Sequence, residues 1–261
     1  MKVVILAGGV GSRISEESVK RPKPMIEIGE MPILWHLMKI YSYYGFNEFI
    51  ICAGYKQHMI KQWFSDYFLY TSDITFDFTV PDSIIVHNRN TEPWKVTVID
   101  TGLETQTGGR LKRVQQYVGD ETFMLNYGDA VGDINIAELL AYHRSHGKTA
   151  TVSVYNYGQT KGVLEIDKTT NSVTDFREKS DFDGNLINIG FYVLEKEVFD
   201  HIRGDEDEFE RHTISELVDE RQVQAYVHRG FWQCMDTLRE KNKLEKLWQS
   251  GGAPWKVWDN R

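Results

Sequence analysis

The run Val3-Val4-Ile5-Leu6-Ala7, followed at once by Gly8-Gly9-Val10-Gly11-Ser12-Arg13, decides the fold. Five successive apolar residues, three of them β-branched, predict a strand buried on both faces, and such strands belong to parallel sheets covered by helices. Glycines at the carboxyl end of that strand stand where an open parallel sheet receives its ligand. Lacking a Cβ, they let backbone N–H groups approach an anion. Working outward, Ile33 to Tyr44 carries apolar residues at helical spacing and stops at Gly45. Phe49-Ile50-Ile51-Cys52-Ala53-Gly54 reads as a second buried strand, and residues 56–68 as a second helix. Strand then helix, repeated, predicts right-handed βαβ units.

The alternation continues with a strand at Lys95 to Asp100 and a helix at Gly109 to Val118. Next come a strand at Phe123 to Tyr127 ending in Gly128-Asp129, a helix at Ile134 to His143 and a strand at Thr149 to Tyr155. Shorter alternating segments follow at 163–166, 173–176 and 187–194, then a helix near Ser215, a strand at 222–227 and a closing helix from Leu238 to Trp248. No repeat or low-complexity stretch interrupts the chain. The expectation is one α/β domain over 1–261, parallel at first and mixed later. Residues 70–95 read as an excursion and 237–261 as a terminal helix and tail.

The 261 residues are 41 % hydrophobic and 26 % charged, enough for a large core and incompatible with disorder throughout. Lys and Arg number 30 against 38 Asp and Glu, a net charge of −8. That balance argues against a nucleic-acid partner but allows a small anion in a locally basic cleft. Cys52 and Cys234 are too few for a disulfide framework; Cys52 reads as a small core residue. No stretch approaches the ~20 apolar residues of a spanning helix, so a cytoplasmic protein with no membrane partner is expected.

The glycine-rich loop is followed by Arg21-Pro22-Lys23-Pro24. Arg13 supplies a forked donor and Lys23 a point charge to a polyphosphate, with the flanking prolines restricting where the ammonium can go. An ordinary glycine turn beside a solvated basic stretch would look the same. A Walker loop is excluded because Gly11-Ser12-Arg13 lacks its Gly-Lys-Ser/Thr ending. The dinucleotide fingerprint is excluded because Ile14 stands where its third glycine belongs.

Taken whole, LAGGVGSR then RPKPMIEIGEMPIL resembles the signature of the sugar-1-phosphate nucleotidyltransferases. Nearly the entire chain, through FIICAGYK, EPWKVTVIDTG, TGGRLKRV and GFWQCMDTLREKNKLEKLW, is similar to the branch that uses CTP to make CDP-glucose from α-D-glucose 1-phosphate for bacterial polysaccharides. The resemblance implies a three-layer Rossmann-like α/β domain with a mainly parallel, mixed central sheet. It implies that Leu6, Ala7, Gly8, Gly9, Gly11, Ser12 and Arg13 hold CTP with Lys23, Thr105, Arg110 and Gly128, and that Arg13 and Lys23 serve catalysis. It assigns Asp129 and Asp236 to Mg²⁺, and Glu178, Lys179, Asn188 and Gly190 to the sugar. It further implies a homo-oligomer, trimeric or hexameric. The residues 63–78 and the tail around Trp255 are the candidate contact surfaces.

These residue types suit in-line attack of a sugar phosphate on the α-phosphorus of CTP. No general base is required, only neutralisation and alignment of two anions. Two carboxylates suit a hard ion. Either aspartate could instead cap the helix that follows it, and Glu178-Lys179 could be a solvated pair. Departures fall on the sugar side: Lys161 stands where the family has an aromatic residue, Ser180 replaces a proline, and Ile189 adds bulk beside the sugar. Another phosphorylated acceptor, UTP or dTTP as donor, or a silent nucleotide-binding protein are the alternatives. A glycosyltransferase is disfavoured because Asp129-Ala130-Val131 is not Asp-x-Asp. His143 and His146 read as surface residues, and Trp232, Trp255 and Trp258 as packing or subunit contacts.

Overall fold

The computed structural model describes residues 1–81, 83–88, 90–156, 163–166, 169–170, 172–177 and 186–259. Seven strands form one sheet: β1 (Val3–Ala7), β2 (Glu48–Ala53), β3 (Lys95–Asp100), β4 (Phe123–Tyr127), β5 (Ala150–Asn156), β6 (Leu186–Leu194) and β7 (Val223–His228). Their spatial order is β7-β5-β6-β4-β1-β2-β3. β1 runs parallel to β2 and β4, β2 to β3, and β5 to β7, while β6 is antiparallel to β4 and β5. The sheet is thus mixed and mainly parallel.

The chain moves from β1 outward to β3, then returns to the other side of β1 as β4. Loops leaving the carboxyl ends of β1 and β4 therefore part in opposite directions and open a crevice between them, the usual ligand position in an open sheet.

Alternation within β1 sends Val3, Ile5 and Ala7 into one apolar cluster and Val4 and Leu6 into a second. The first cluster is completed by α1 (Ile33–Tyr43), through Leu34, Leu37, Met38 and Tyr41, together with Ile60 of α2 (Gln57–Thr71). The second is closed by Leu111 of α3 (Thr107–Arg113), Val118 and Phe199. Helices on both faces give the three expected layers. Buried Cys52 is part of the second cluster.

The segment expected to be one helix over 109–118 is two pieces, Thr107–Arg113 and Gln115–Val118. At Val114 the backbone turns to φ −100°, ψ 1° and its N–H bonds to Leu111 O, three residues back, so the α-ladder breaks. Within 70–95 lies an antiparallel hairpin, Ile74–Asp77 with Ser83–Val86.

Two expectations are corrected. His143 is 1 % exposed, not a surface residue. The last turn of α4 (Ile136–His146) faces the sheet, where His143 Nδ1 meets Thr151 Oγ1 at 2.8 Å and Nε2 meets Glu195 Oε1 at 3.0 Å. His146 is half-buried beside it, with Nε2 2.7 Å from the same hydroxyl. Trp255 is fully buried within its own chain and so offers no contact surface, because the tail folds back over His36 and Trp248. Among the described residues, no helix is long and apolar enough to cross a membrane.

Candidate active site

The crevice between β1 and β4 is a cleft of about 390 Å³, lined by the loop from Leu6 to Arg13 and by Lys23, Thr105, Arg110, Tyr127 and Asp129. Two glycines of the loop are required by geometry. Gly11 has φ +71°, and a Cβ on Gly8 would lie 2.1 Å from Arg110 Nη1.

Arg110 is 5 % exposed, on α3. Its Nη1 donates to Thr101 Oγ1 at 2.9 Å and to Gly102 O at 2.6 Å, and its Nη2 to Leu103 O at 3.0 Å. Burial pulls its pKa below the ordinary arginine value. Among the described residues no carboxylate pairs with it. A buried guanidinium satisfied only by neutral acceptors is a ready receptor for a ligand's acceptor atoms.

Lys23 opens a short 3₁₀ turn after Pro22, and its side chain is 11 % exposed. Its Nζ donates to Asp129 Oδ2 at 2.5 Å and also to Asp236 Oδ1. Arg13 Nη1 lies 2.7 Å from Asp236 Oδ2. Burial, the largest single influence, pulls the Lys23 pKa down, but Asp129 and Asp236 outweigh it and hold it above the usual lysine value.

The two aspartates, remote in sequence, are set side by side by a small antiparallel pairing of Ala130–Gly132 with Trp232–Cys234. Met235 N donates to Asp129 O at 2.8 Å and extends that pairing to the edge of the site. Neither aspartate caps a helix. Asp129 leads into a strand, Asn135 caps α4, and Thr237 caps α6 (Leu238–Gln249).

All the expected nucleotide-side residues line the cleft except Gly128. Gly128 sits behind the wall, where its N–H bonds to Leu6 O at 3.0 Å and a Cβ would stand 3.0 Å from that oxygen. On the other side, Gly190 meets Tyr127: a Cβ on Gly190, which has φ +79°, would stand 2.8 Å from Tyr127 Cδ2, and Gly190 N donates to Asn188 Oδ1 at 2.9 Å. Glu178, Lys179, Lys161 and Ser180 lie outside the described residues. Ile189 adds no bulk to the cleft, because its side chain is 2 % exposed and belongs to the first apolar cluster. Sequence reasoning missed Glu104, Gln106 and Thr107 as lining residues. Their adjacency to Thr105, at the start of a helix, was the available signal.

Residues 2–238 match the family model described as nucleotidyl transferase. This chain belongs to that family. Within it, the chain groups with the glucose-1-phosphate cytidylyltransferases. It is 48 % identical to the Salmonella typhi protein of that name over 99 % of this chain and 100 % of that protein. It is 40 % identical to the probable glucose-1-phosphate cytidylyltransferase of Bacillus subtilis, again over 99 % and 100 % of the two chains. Among solved structures, HddC from Yersinia pseudotuberculosis has the same fold, with a TM-score of 0.66 at 22 % identity over 95 % of this chain and 99 % of that one. Apo UDP-glucose pyrophosphorylase gives 0.67 at 14 % identity over 96 % and 98 %.

Nucleotidyl transferases generally use a divalent metal ion. The residues here fit one. Two carboxylates converge on a single point, which the Lys23 ammonium shares, and an all-oxygen donor set suits a hard cation.

Proposed function

We propose that this nucleotidyltransferase transfers a cytidylyl group from CTP to α-D-glucose 1-phosphate, giving CDP-glucose and pyrophosphate, with residues 1–261 acting as one unit. The observation that carries the reading is the full-length 48 % identity to a protein named for this reaction. The cleft's charge arrangement supports the chemistry.

In this reading the backbone of Gly8 to Gly11 and the side chains of Ser12, Arg13 and Lys23 hold the triphosphate. Thr105 and Arg110 complete the nucleotide side. Asn188 and Gly190, with Glu178 and Lys179, receive the sugar. A phosphate oxygen of the acceptor attacks the α-phosphorus in line, and the bond to the β-phosphate oxygen breaks as the new one forms. No proton is abstracted, so no residue acts as a base. Arg13 and Lys23 offset charge on the two anions and fix their approach. Asp129 and Asp236 would hold Mg²⁺, which when bound supplies further positive charge at the phosphates.

The test is pyrophosphate release with each nucleoside triphosphate against a panel of sugar 1-phosphates, with and without Mg²⁺. Turnover is expected with CTP, glucose 1-phosphate and Mg²⁺ together. Equal turnover with UTP or dTTP would overturn the CTP assignment. Inertness toward glucose 1-phosphate alone would overturn only the acceptor.

A homo-oligomer, trimer or hexamer, is part of the same reading. Phe76, Phe78, Ile84 and Ile85 are exposed on the hairpin within 70–95, and a two-stranded hairpin is marginal unless something covers it. Light scattering should give a multiple of the chain mass; a monomer would overturn it. Its nucleotide substrate points to the cytoplasm as the site of action.

A further inference from the structure

On the acceptor side of Tyr127, three side chains converge on one carboxylate oxygen. Glu210 begins a single π-helical turn, Glu210–Ile214, that runs into α5 (Ser215–Asp219). Its Oε1 accepts from Tyr127 Oη, from Tyr192 Oη at 2.9 Å and from Asn188 Nδ2 at 3.4 Å. Asn188 Nδ2 also reaches Tyr192 Oη. Among the described residues no lysine or arginine pairs with Glu210. Among the described residues this carboxylate is met only by hydroxyl and amide donors, and hydroxyls are the donors that a sugar ring presents.

The backbone leading to Glu210 is fixed to the nucleotide side of the cleft. Gln106 N donates to Asp205 O and Gly108 N to Asp207 O, each at 2.8 Å, and Phe209 N donates to Thr107 Oγ1 at 2.9 Å. Asp207 is 2 % exposed and accepts from Thr213 Oγ1 at 3.0 Å, so the π-turn is anchored at both ends. A carboxylate held this rigidly costs little further ordering when a ligand hydroxyl arrives.

We propose that Glu210 is a specificity-determining residue of the acceptor site, its carboxylate receiving hydroxyl protons of the sugar ring. The inference rests on the reading of this cleft as a sugar 1-phosphate site and adds to it the group that reads the ring. It also gives the acceptor a direction. The Glu210 carboxylate disfavours a phosphate beside it, while Lys23 and Arg13, which line the cleft with Tyr127, attract one, so the two ends of the acceptor are told apart. A site built around a substrate hydroxyl discriminates strongly against the analogue that lacks it. The π-helical turn suits such a role, since these turns recur at functional sites.

The test compares wild type with Glu210→Gln and Tyr192→Phe, using the acceptor that the sugar 1-phosphate panel selects. KM is measured separately for acceptor and for CTP, turnover is compared with the 2-, 3-, 4- and 6-deoxy analogues of that acceptor, and CTP binding is followed by calorimetry. Glu210→Gln is expected to raise the acceptor KM about ten- to a hundred-fold, as for loss of a charge-assisted hydrogen bond. It should leave the CTP KM and calorimetric affinity within about two-fold, and reduce discrimination against at least one deoxy analogue. Tyr192→Phe should shift the acceptor KM in the same direction by less. An acceptor KM unchanged in Glu210→Gln, with discrimination intact, overturns the proposal. So does a parallel loss of CTP binding and melting temperature, which would mark Glu210 as a strut. Wild-type protein that binds CTP but turns over no sugar 1-phosphate overturns the acceptor reading itself, and this inference with it.

Discussion

The Lys23 ammonium balances the charge of the cleft. It lies between Asp129 and Asp236, while Arg13 covers the outer oxygen of Asp236. Lys23→Ala would leave two carboxylates facing each other with only the exposed Arg13 nearby, so the cost to the fold should depend on what else fills the gap. We expect a melting temperature close to wild type in excess Mg²⁺ and a clear decrease in EDTA, read by calorimetry. Turnover should fall about 10²–10³-fold, as for removal of one group aimed at developing charge. Unchanged turnover would rule out its proposed phosphate contact. Asp129→Ala should abolish Mg²⁺-dependent turnover and also the stabilisation that Mg²⁺ gives to wild type. A variant that keeps full activity removes the metal assignment. At this scale the sequence was partly legible. The glycines and Arg13 announced themselves because they follow the end of a buried strand, and Lys23 because a proline flanks it on each side. Asp236 did not: only the resemblance paired it with Asp129, since three-residue strands carry no periodicity to read. Glu210 was missed because nothing in its neighbourhood of the sequence distinguishes it from other surface acids.

Helix α6 shows how a local signal can serve a distant site. Its capping box joins Thr237 and Glu240 reciprocally, with Glu240 N donating to Thr237 Oγ1 at 3.3 Å and Thr237 N to Glu240 Oε2 at 2.9 Å. The same Glu240 oxygen accepts from Asp236 N at 2.8 Å, so the cap also fixes the backbone of a proposed metal ligand. Glu240→Ala should cost about 1 kcal/mol of stability, the ordinary value of a cap. It should also raise the Mg²⁺ concentration for half-maximal activity several-fold, whereas Glu240→Gln, which keeps an acceptor oxygen, should do much less. A Mg²⁺ requirement identical in all three proteins would separate cap from site. Elements as such were well read where an apolar run is continuous, as in β1 and β2, because burial on both faces leaves no competing interpretation. The break at Val114 was hidden because its residues are ordinary helix formers, and the ladder fails through main-chain geometry. His143 was misread because polar residues crowd the end of α4, and only docking of that helix shows which face is covered.

The whole molecule is closed by its tail, and this closure should make stability depend on pH. His36, on α1, is fully buried among Trp35, Trp248, Trp255 and Trp258. Its Nε2 lies 2.7 Å from Ile28 O, which can only accept, so Nε2 carries the proton. Nδ1 then accepts from Trp255 Nε1 at 3.4 Å. A second proton on the ring would set donor against donor in an apolar cage. Burial accordingly pushes the His36 pKa down to about 4, from the ordinary histidine value near 6.5. Between those values the unfolded chain binds a proton that the folded chain refuses. Stability is therefore complete above about pH 6.5 and is lost as pH falls toward 4, with a maximal slope near 1.4 kcal/mol per pH unit and a total of about 3 kcal/mol. His146, also held below its usual value first by burial, adds a loss of the same sign. Urea unfolding at pH 7, 6 and 5 should show the decrease before most carboxylates begin to titrate. In His36→Gln, less stable at pH 7, the decrease should shrink to the share left by the other histidines. Wild type and variant losing equal stability over that interval would show that the tryptophan cage does not exclude the proton.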